Sequence, residues 1–383
     1  PIATTLVYDE KVCSLEDCDL GARVGLRWPK GPFEMMNDIG TDKACALVEA
    51  LAQRYEDVQV PAKLTELAGA PFDIHYLKTW ITDGVGYIQF NRPDAMNALN
   101  EVVVAQLGQA FSAMENDDNV KGIVFSGRGK AFVAGADVKF FVQQMKQKNI
   151  DRIVEFSIKG QQTFRQIDTC EKPVVCQLDG LSLGGGSELA LACDYIVATS
   201  KGTMGFPETG IGIYPGLGGT QRSARRVGIA LARWLVLSGD TVPAKIAAGM
   251  GLVDDLVSPA DLEEAVRAKA LSGKAPESRS VPSSVPTGYE DWAKVFGATL
   301  EDLLEGNVEL PENENGAMLK KTLKRIGFKA PIALKAADEL VRKSVGWDLA
   351  TGLQAETNGL AMVFGSEDAL TGMTSRRPEF QGK

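Results

Sequence analysis

Residues 184–194, Gly-Gly-Gly-Ser-Glu-Leu-Ala-Leu-Ala-Cys-Asp, decide the fold around them. Three successive glycines let the backbone turn tightly, and the Leu/Ala-rich run that follows has the composition of a helix. Such a turn presents consecutive backbone N–H groups at a helix N-terminus, where they stabilise negative charge. The alternative is a strand-to-helix turn that needs glycine for packing alone, with Glu188 as an ordinary carboxylate of the first helical turn.

Two further small-residue segments favour a functional site. Residues 130–139, KAFVAGADVK, form another turn after a strand and have a lysine at each end, so they can supply a second backbone donor. Residues 205–222, GFPETGIGIYPGLGGTQR, place Glu208 in a Gly/Pro-rich loop ahead of a helix. Because Phe206, Ile211 and Ile213 flank this glutamate, we expect its carboxyl to be partly desolvated.

The residue inventory excludes several other kinds of site. Ser182 lies in a G-x-S-x-G sequence after a strand, but a hydrolase triad of that type needs a histidine after the serine, and the sequence has one histidine, His75. A single histidine also excludes multi-histidine metal sites. The six cysteines form no C-x-x-C pair and are predicted to be reduced. Cys13 and Cys18 could pair or bind a metal, although no second ligand pair accompanies them.

The pattern of apolar residues predicts an α/β protein with four regions. Residues 1–74 are predicted to form a small helical module, and the Asp83-Gly84 turn predicts a hairpin. Strands then alternate with helices over 75–271, which indicates an α/β layered core. The Ser/Pro-rich and polar stretches within 272–329 are typical of an insertion or linker, and helical patterning resumes over 330–383.

Composition and charge describe an ordinary globular chain. The 383 residues include 41 Lys and Arg against 50 Asp and Glu, a net charge of −9, and 44% are hydrophobic. An acidic balance without a basic block argues against nonspecific nucleic-acid binding. No apolar run is long enough to span a bilayer, and the N-terminus lacks the pattern of a signal peptide. We therefore expect a cytoplasmic protein without nucleic-acid or membrane partners.

Several motifs in order resemble the enoyl-CoA hydratase/isomerase (crotonase) superfamily. The resemblance runs from about Tyr76 to the C-terminus, apart from about forty extra residues between 272 and 329. It is carried by the segments 91–93 (NRP), 96–99 (MNAL), 134–139 (AGADVK), 184–188 (GGGSE), 206–208 (FPE) and 216–222 (GLGGTQR). The resemblance implies a spiral of ββα units followed by C-terminal helices that pack homotrimers, which often pair into homohexamers.

The same resemblance implies an enoyl-CoA hydratase of fatty acid metabolism. Such an enzyme adds water reversibly to a 2-enoyl-CoA such as crotonyl-CoA and gives 3-hydroxyacyl-CoA, with coenzyme A as part of the substrate and no metal or redox cofactor. By motif position, the backbone N–H groups of Ala136 and Gly185 match the oxyanion hole that holds the thioester carbonyl. Glu188 matches the glutamate that orients and activates the water, and Glu208 matches the glutamate that exchanges the C2 proton.

Recognition of CoA is also implied by motif position. Lys130 and Lys139 match basic positions near the nucleotide, Ala134 matches a backbone contact to adenine, and Gly216 is a further substrate-binding position. Ammonium groups can partly neutralise the phosphates of CoA, although both lysines could instead be solvated surface charges.

The N-terminal module has a resemblance of its own. Residues 23–34, RVGLRWPKGPFE, resemble part of the C-terminal helical domain of 3-hydroxyacyl-CoA dehydrogenases. The dinucleotide-binding G-x-G-x-x-G is absent, and His75 lies outside the context of the histidine that such dehydrogenases use, so we expect no hydride transfer. Because the chain starts at Pro1, we expect it to be part of a longer dehydrogenase/hydratase fusion.

Two other functions remain open at this point. An enoyl-CoA isomerase moves a proton along the acyl chain and needs no attacking water, so the pair of glutamates favours the hydratase over it. A non-catalytic CoA-binding or assembly module would not need both carboxylates and both donor turns.

Overall fold

The computed structural model describes residues 1–275 and 281–383, which fall into two compact units, Pro1–Tyr76 and Leu77–Lys383. The first unit is helical, as the sequence predicts. Its helices are α1 Ile2–Thr4, α2 Leu15–Gly25, α3 Pro32–Ile39, α4 Thr41–Arg54 and α5 Ala62–Leu67, with a π-helical turn over Thr5–Asp9. In the described parts of the chain, none of the helices is both long and apolar enough to cross a membrane.

A small apolar core and one buried carboxylate organise the N-terminal unit. Its core residues are Leu15, Phe33, Val48, Leu64 and Phe72. Asp19 is buried and accepts the backbone N–H groups of Phe33 and Glu34, at 2.8 and 3.0 Å, so it caps the start of α3. A Cβ at Gly31 would overlap the Asp19 carboxyl, so a glycine is required there. The Gly-Pro-Phe-Glu sequence at 31–34 is therefore a helix start shaped around Asp19.

The second unit alternates strands and helices. Its strands are β1 Leu77–Thr82, β2 Val85–Phe90, β3 Gly122–Gly127, β4 Ala131–Ala134, β5 Val174–Leu178, β6 Leu181–Leu183, β7 Tyr195–Ala198, β8 Thr203–Gly205, β9 Thr241–Pro243 and β10 Asp255–Leu256. Its helices up to the predicted insertion are α6 Glu101–Glu115, α7 Val138–Lys146, α8 Ile150–Thr169, α9 Gly185–Ala192, α10 Gly219–Ser238, α11 Ala244–Gly249 and α12 Leu262–Ala270. The predicted α/β fold is confirmed.

The strands form two sheets. One has six strands in the order β1-β2-β3-β5-β7-β10, and the other has four in the order β4-β6-β8-β9. In the first sheet β2, β3, β5, β7 and β10 are parallel, and β1 adds an antiparallel edge through the predicted hairpin. Asp83 and Gly84 both have positive φ, at 50° and 79°, as a two-residue hairpin turn of type I′ requires.

The second sheet positions the site. Strands β4, β6 and β8 are parallel, so their carboxyl ends meet at one edge. Each strand ends where the sequence has one of its small-residue turns. In parallel sheets the crevice outside the carboxyl ends of the strands is the usual place for a ligand.

The rest of the chain is helical. Within the described part of 272–329 lie α13 Glu290–Phe296, α14 Leu300–Glu305 and α15 Glu314–Ile326, and the C-terminal region contains α16 Pro331–Lys343, α17 Leu349–Phe364 and α18 Glu367–Thr374. Trp292 of α13 lies against Trp234 of α10, with ring centroids 3.9 Å apart. Arg233 of α10 is buried and pairs with Asp338 of α16 at 2.6 Å. These contacts attach both segments to the α/β core.

Candidate active site

Three parallel strands deliver the predicted reactive groups to one place. The turn after β4 carries Ala136, and β6 leads through Gly184 into α9, which begins at Gly185 and carries Glu188 in its first turn. Strand β8 leads into a 3₁₀ turn, Pro207–Ile211, that carries Glu208. The sequence places these groups up to 72 positions apart, and the sheet brings them together.

Two backbone N–H groups lie side by side at the carboxyl ends of β4 and β6. The Ala136 nitrogen is 3.9 Å from where a Cβ on Gly185 would stand. Ala136 forms a parallel bridge with Leu99 in which Gly135 accepts and Asp137 donates, so the Ala136 N–H points away from Leu99. Gly185 is the first residue of α9, where an N–H has no partner within the helix. Such a pair can stabilise an oxyanion.

Glu188 is buried, and one of its oxygens is fixed. Oε1 accepts the backbone N–H groups of Leu217 and Gly219, both at 2.7 Å. Burial raises the pKa of Glu188 to about 7, and these two bonds and the nearby charge of Arg222 oppose the rise. A carboxyl with a pKa near 7 can accept and release a proton at neutral pH.

Glu208 is buried without full hydrogen bonding. Its Oε2 has no partner and no access to solvent, and Oε1 lies so near Gly184 that a Cβ there would overlap it. Burial raises the pKa of Glu208 well above its usual value, and the charge of Glu188 raises it further. The two acids therefore interact, because the charge of an ionised Glu188 makes it harder for Glu208 to lose its proton.

Both carboxyls and both backbone donors line one cavity of about 140 Å³. Ala134 and Gly216 also line it. Phenylalanine rings form part of its wall: Phe141 contacts Phe156 and Phe364, with ring centroids 5.7 and 5.0 Å apart. The arrangement combines acid-base groups, oxyanion donors and an apolar recess, which is a chemistry of proton transfer next to a carbonyl.

Comparison with known proteins identifies the family. The sequence profile of the enoyl-CoA hydratase/isomerase family matches residues 81–284, more than half of the chain. The chain belongs to this family. The match starts after the N-terminal unit and ends inside the predicted insertion, so it covers the turns that carry the site and leaves residues 1–76 outside it.

Several proteins that are similar to this chain have names that describe related activities. A short-chain-enoyl-CoA hydratase from Clostridium acetobutylicum is 40% identical over 179 residues, which are 46% of this chain and 67% of the relative. A crotonyl-CoA hydratase from Syntrophomonas wolfei is 41% identical over 188 residues, 49% of this chain and 70% of the relative. The crystal structure of a carnitinyl-CoA dehydratase from Mycobacterium thermoresistibile superposes with a TM-score of 0.68 at 25% identity, covering 80% of this chain and 92% of that one.

The residues predicted to bind CoA divide into two groups. Ala134 and Gly216 line the cavity. Lys130 and Lys139 are exposed and do not line it, and Lys139 lies in the first turn of α7, where its backbone N–H donates to Asp137 at 3.1 Å. Lys130 directly precedes β4, and Lys139 follows the turn that carries Ala136. Their role in CoA binding stays a prediction.

Other candidates from the sequence lie outside the cavity. Ser182 is fully buried on β6 and does not line the cavity, in agreement with the exclusion of a serine nucleophile. Burial raises the pKa of the Cys18 thiol to about 11, and the charge of Cys13 adds to the rise. Within residues 1–275 and 281–383, no group of three or more His, Cys, Asp or Glu side chains is arranged to hold a metal ion.

A third buried acid, Glu356, escaped the sequence analysis. It lies on α17 and is fully buried, and burial together with the charge of Glu188 raises its pKa. The sequence does contain a sign that Glu356 is buried, because Glu356 follows Leu353 by three positions and precedes Leu360 by four, which places it on the same helix face as these leucines. A charged residue on the buried stripe of an amphipathic helix calls for a polar partner, and periodicity alone does not say which partner that is.

Proposed function

We propose that this chain is an enoyl-CoA hydratase that adds water reversibly to a short-chain 2-enoyl-CoA such as crotonyl-CoA and forms 3-hydroxyacyl-CoA. The observation that carries the proposal is the cavity into which Glu188 and Glu208 converge beside the Ala136 and Gly185 N–H groups. Membership of the family and the hydratase names of its relatives support it.

The reaction explains why two acids are needed. When water attacks C3, a base must take one of its protons, and the electrons of the C2–C3 double bond move toward the thioester carbonyl. An acid must then deliver a proton to C2. Glu188, whose pKa is about 7 and whose Oε1 accepts two backbone N–H groups, suits the base, and Glu208, whose pKa is raised well above its usual value, suits the acid. The two carboxyls return to their starting states by exchanging protons with solvent.

The carbonyl side of the reaction needs donors rather than charge. Negative charge grows on the thioester oxygen as the C3–O bond forms. The N–H groups of Ala136 and Gly185 are fixed by β4 and by the start of α9, so they need no rearrangement to meet that charge. One such donor typically contributes about 3 to 4 kcal/mol to the lowering of the barrier.

Hydration adds water with two proton transfers and no net oxidation or reduction, and backbone donors meet the charge on the carbonyl oxygen, so we propose that it needs no metal or redox cofactor. Coenzyme A enters as part of the substrate. In this proposal Ala134 and Gly216 contact it from the cavity wall, and Lys130 and Lys139 neutralise part of its phosphate charge.

The wider setting is also proposed. The N-terminal unit, which lies outside the family match, is equivalent to part of the C-terminal domain of a 3-hydroxyacyl-CoA dehydrogenase, in a longer dehydrogenase/hydratase fusion. A homotrimer or homohexamer is the assembly implied by the crotonase resemblance, and a cytoplasmic location stays a prediction from the sequence.

Hydration of crotonyl-CoA by the purified protein tests the function, measured as the loss of absorbance of the conjugated thioester. We expect turnover, and we expect Glu188→Gln and Glu208→Gln each to slow it by orders of magnitude. Asp19→Asn is the control, since Asp19 is an equally buried carboxylate that does not line the cavity. Conversion of a 3-enoyl-CoA without hydration would indicate the isomerase, and CoA binding without turnover would indicate an assembly module.

A further inference from the structure

Four successive backbone N–H groups at the start of α10 are divided between two buried carboxylates. In chain order the donors are Leu217, Gly218, Gly219 and Thr220. The first and third donate to Glu188, both at 2.7 Å, and the second and fourth donate to Glu356, at 2.7 and 3.1 Å. Glu188 comes from α9 and Glu356 from α17, so two helices far apart in sequence hold alternate positions of one turn.

Glu356 is matched to this turn by further bonds. Thr220 donates its hydroxyl to Oε1 at 2.5 Å, and Gln161 of α8 donates its amide to Oε2 at 3.3 Å. Each carboxylate oxygen of Glu356 thus receives two donors. A buried acid with four donors and no solvent contact has no free lone-pair direction for substrate, and Glu356 does not line the cavity.

The turn transmits the position of Glu356 to Glu188. A Cβ on Gly219 would lie 2.9 Å from Oε1 of Glu188, so the carboxylate is pressed against the backbone of the turn. Any displacement of Gly218 or Thr220 moves Gly219 between them, and the acceptor on Glu188 must follow. A small displacement of a catalytic group, about 1 Å, can lower a rate by roughly 100-fold.

We propose that Glu356 is a positioning residue for hydration: it holds the 217–220 turn in the geometry that fixes Glu188 toward the reacting water. The inference rests on the proposed hydratase function. It assigns a role in the rate of the chemical step to a side chain that touches neither the substrate nor the reacting atoms.

The test replaces Glu356 by glutamine, which has nearly the same shape. Its amide has a single acceptor oxygen, so whichever way it turns, the main-chain N–H of Gly218 or of Thr220 loses its acceptor. We expect kcat for crotonyl-CoA to fall about 10- to 100-fold per folded enzyme, while KM changes less than about twofold. A residue that merely stabilises the fold would lower the melting temperature and leave kcat of the folded enzyme unchanged.

Asp338→Asn supplies the matched control. Asp338 is also a buried carboxylate, and the partners of its ion pairs, Arg233 and Arg342, lie outside the 217–220 turn. Its loss should lower the melting temperature at least as much as Glu356→Gln and leave kcat of the folded enzyme within about twofold of wild type, because it does not disturb Glu188.

If Glu356→Gln does not fold, Thr220→Val tests the positioning role of Glu356 instead. It removes one of the four donors to Glu356 and leaves all four backbone donors in place, so we expect a smaller fall in kcat, about threefold to tenfold, again at constant KM. Wild-type kcat in the folded variants, with wild-type enzyme hydrating crotonyl-CoA, would overturn the positioning role. Failure of wild-type enzyme to hydrate crotonyl-CoA would instead overturn the proposed function.

Discussion

Glu188→Gln should make the protein inactive and, at alkaline pH, more stable. Burial raises the pKa of Glu188 from 4.5 to about 7, so the folded protein resists the loss of this proton and the unfolded chain does not. The stability that this group contributes is fully present below about pH 4.5 and is lost as the pH rises to about 7. A glutamine stays neutral, and its single carbonyl oxygen can still accept from Leu217 and Gly219.

The size of the effect follows from the shift in pKa. A change from 4.5 to about 7 corresponds, at about 1.4 kcal/mol per pKa unit, to roughly 3 kcal/mol lost by wild type and retained by the variant. An unfolding entropy of about 2 cal/mol/K per residue, over 383 residues, converts this into about 4 °C in melting temperature. The variant should thus equal wild type at pH 4.5 and exceed it by about 4 °C at pH 8.5.

Thermal unfolding of both proteins across this pH range, at one protein concentration, is the assay. Glu309→Gln is the control, because that carboxylate is exposed and its partner Lys294 lowers its pKa, so no gain should develop as the pH rises. A constant difference in melting temperature between Glu188→Gln and wild type from pH 4.5 to 8.5 would refute the claim that ionisation of the buried Glu188 destabilises the folded protein.

Three further predictions concern catalysis. The kcat of wild type should rise with pH through about 7, as Glu188 loses its proton, and fall at higher pH as Glu208 loses the proton it donates to C2; a profile that is flat from pH 5 to 10 would contradict these roles. Gly184→Ala should lower kcat at least 100-fold, since its Cβ would overlap Glu208 Oε1 and its φ is 48°, whereas Gly346→Ala, where a Cβ meets nothing, should leave it unchanged. Phe141→Ala should raise kcat/KM for octenoyl-CoA relative to crotonyl-CoA about tenfold or more, because each methylene buried in the opened wall contributes about 0.8 kcal/mol. An unchanged ratio of the two kcat/KM values would show that another residue limits chain length.

Local chemistry accounts for what the sequence analysis predicted correctly. The Asp83-Gly84 hairpin and the turns after β4 and β6 each depend on residues within about ten positions, and all are present. The placement of Glu208 near Glu188 is also found, because both follow strands that turned out to be parallel neighbours. Their roles in catalysis stay predictions.

Contacts between distant segments account for what was missed. The division of the strands into two sheets depends on pairings such as β7 with β10, which lie about sixty positions apart, and no local signal specifies them. The bonds of Glu356 to a turn 136 positions earlier are of the same kind. A periodic pattern shows that a side chain is buried and leaves its partner undetermined.

The motif at 216–222, GLGGTQR, is a glycine-rich turn at the start of α10. A glycine-rich turn at a helix N-terminus is suited to an anion, and phosphate is the usual one. Here the anions are the protein's own: Glu188 and Glu356 take up the four N–H groups. Arg222, which donates to Leu217 O at 2.7 Å and pairs with Asp168 at 2.5 Å, adds the positive charge that favours ionisation of both glutamates. The N–H groups of residues 217–220 are therefore not available to a phosphate, and the helix dipole of α10 lowers the energy of ionised Glu188 and Glu356.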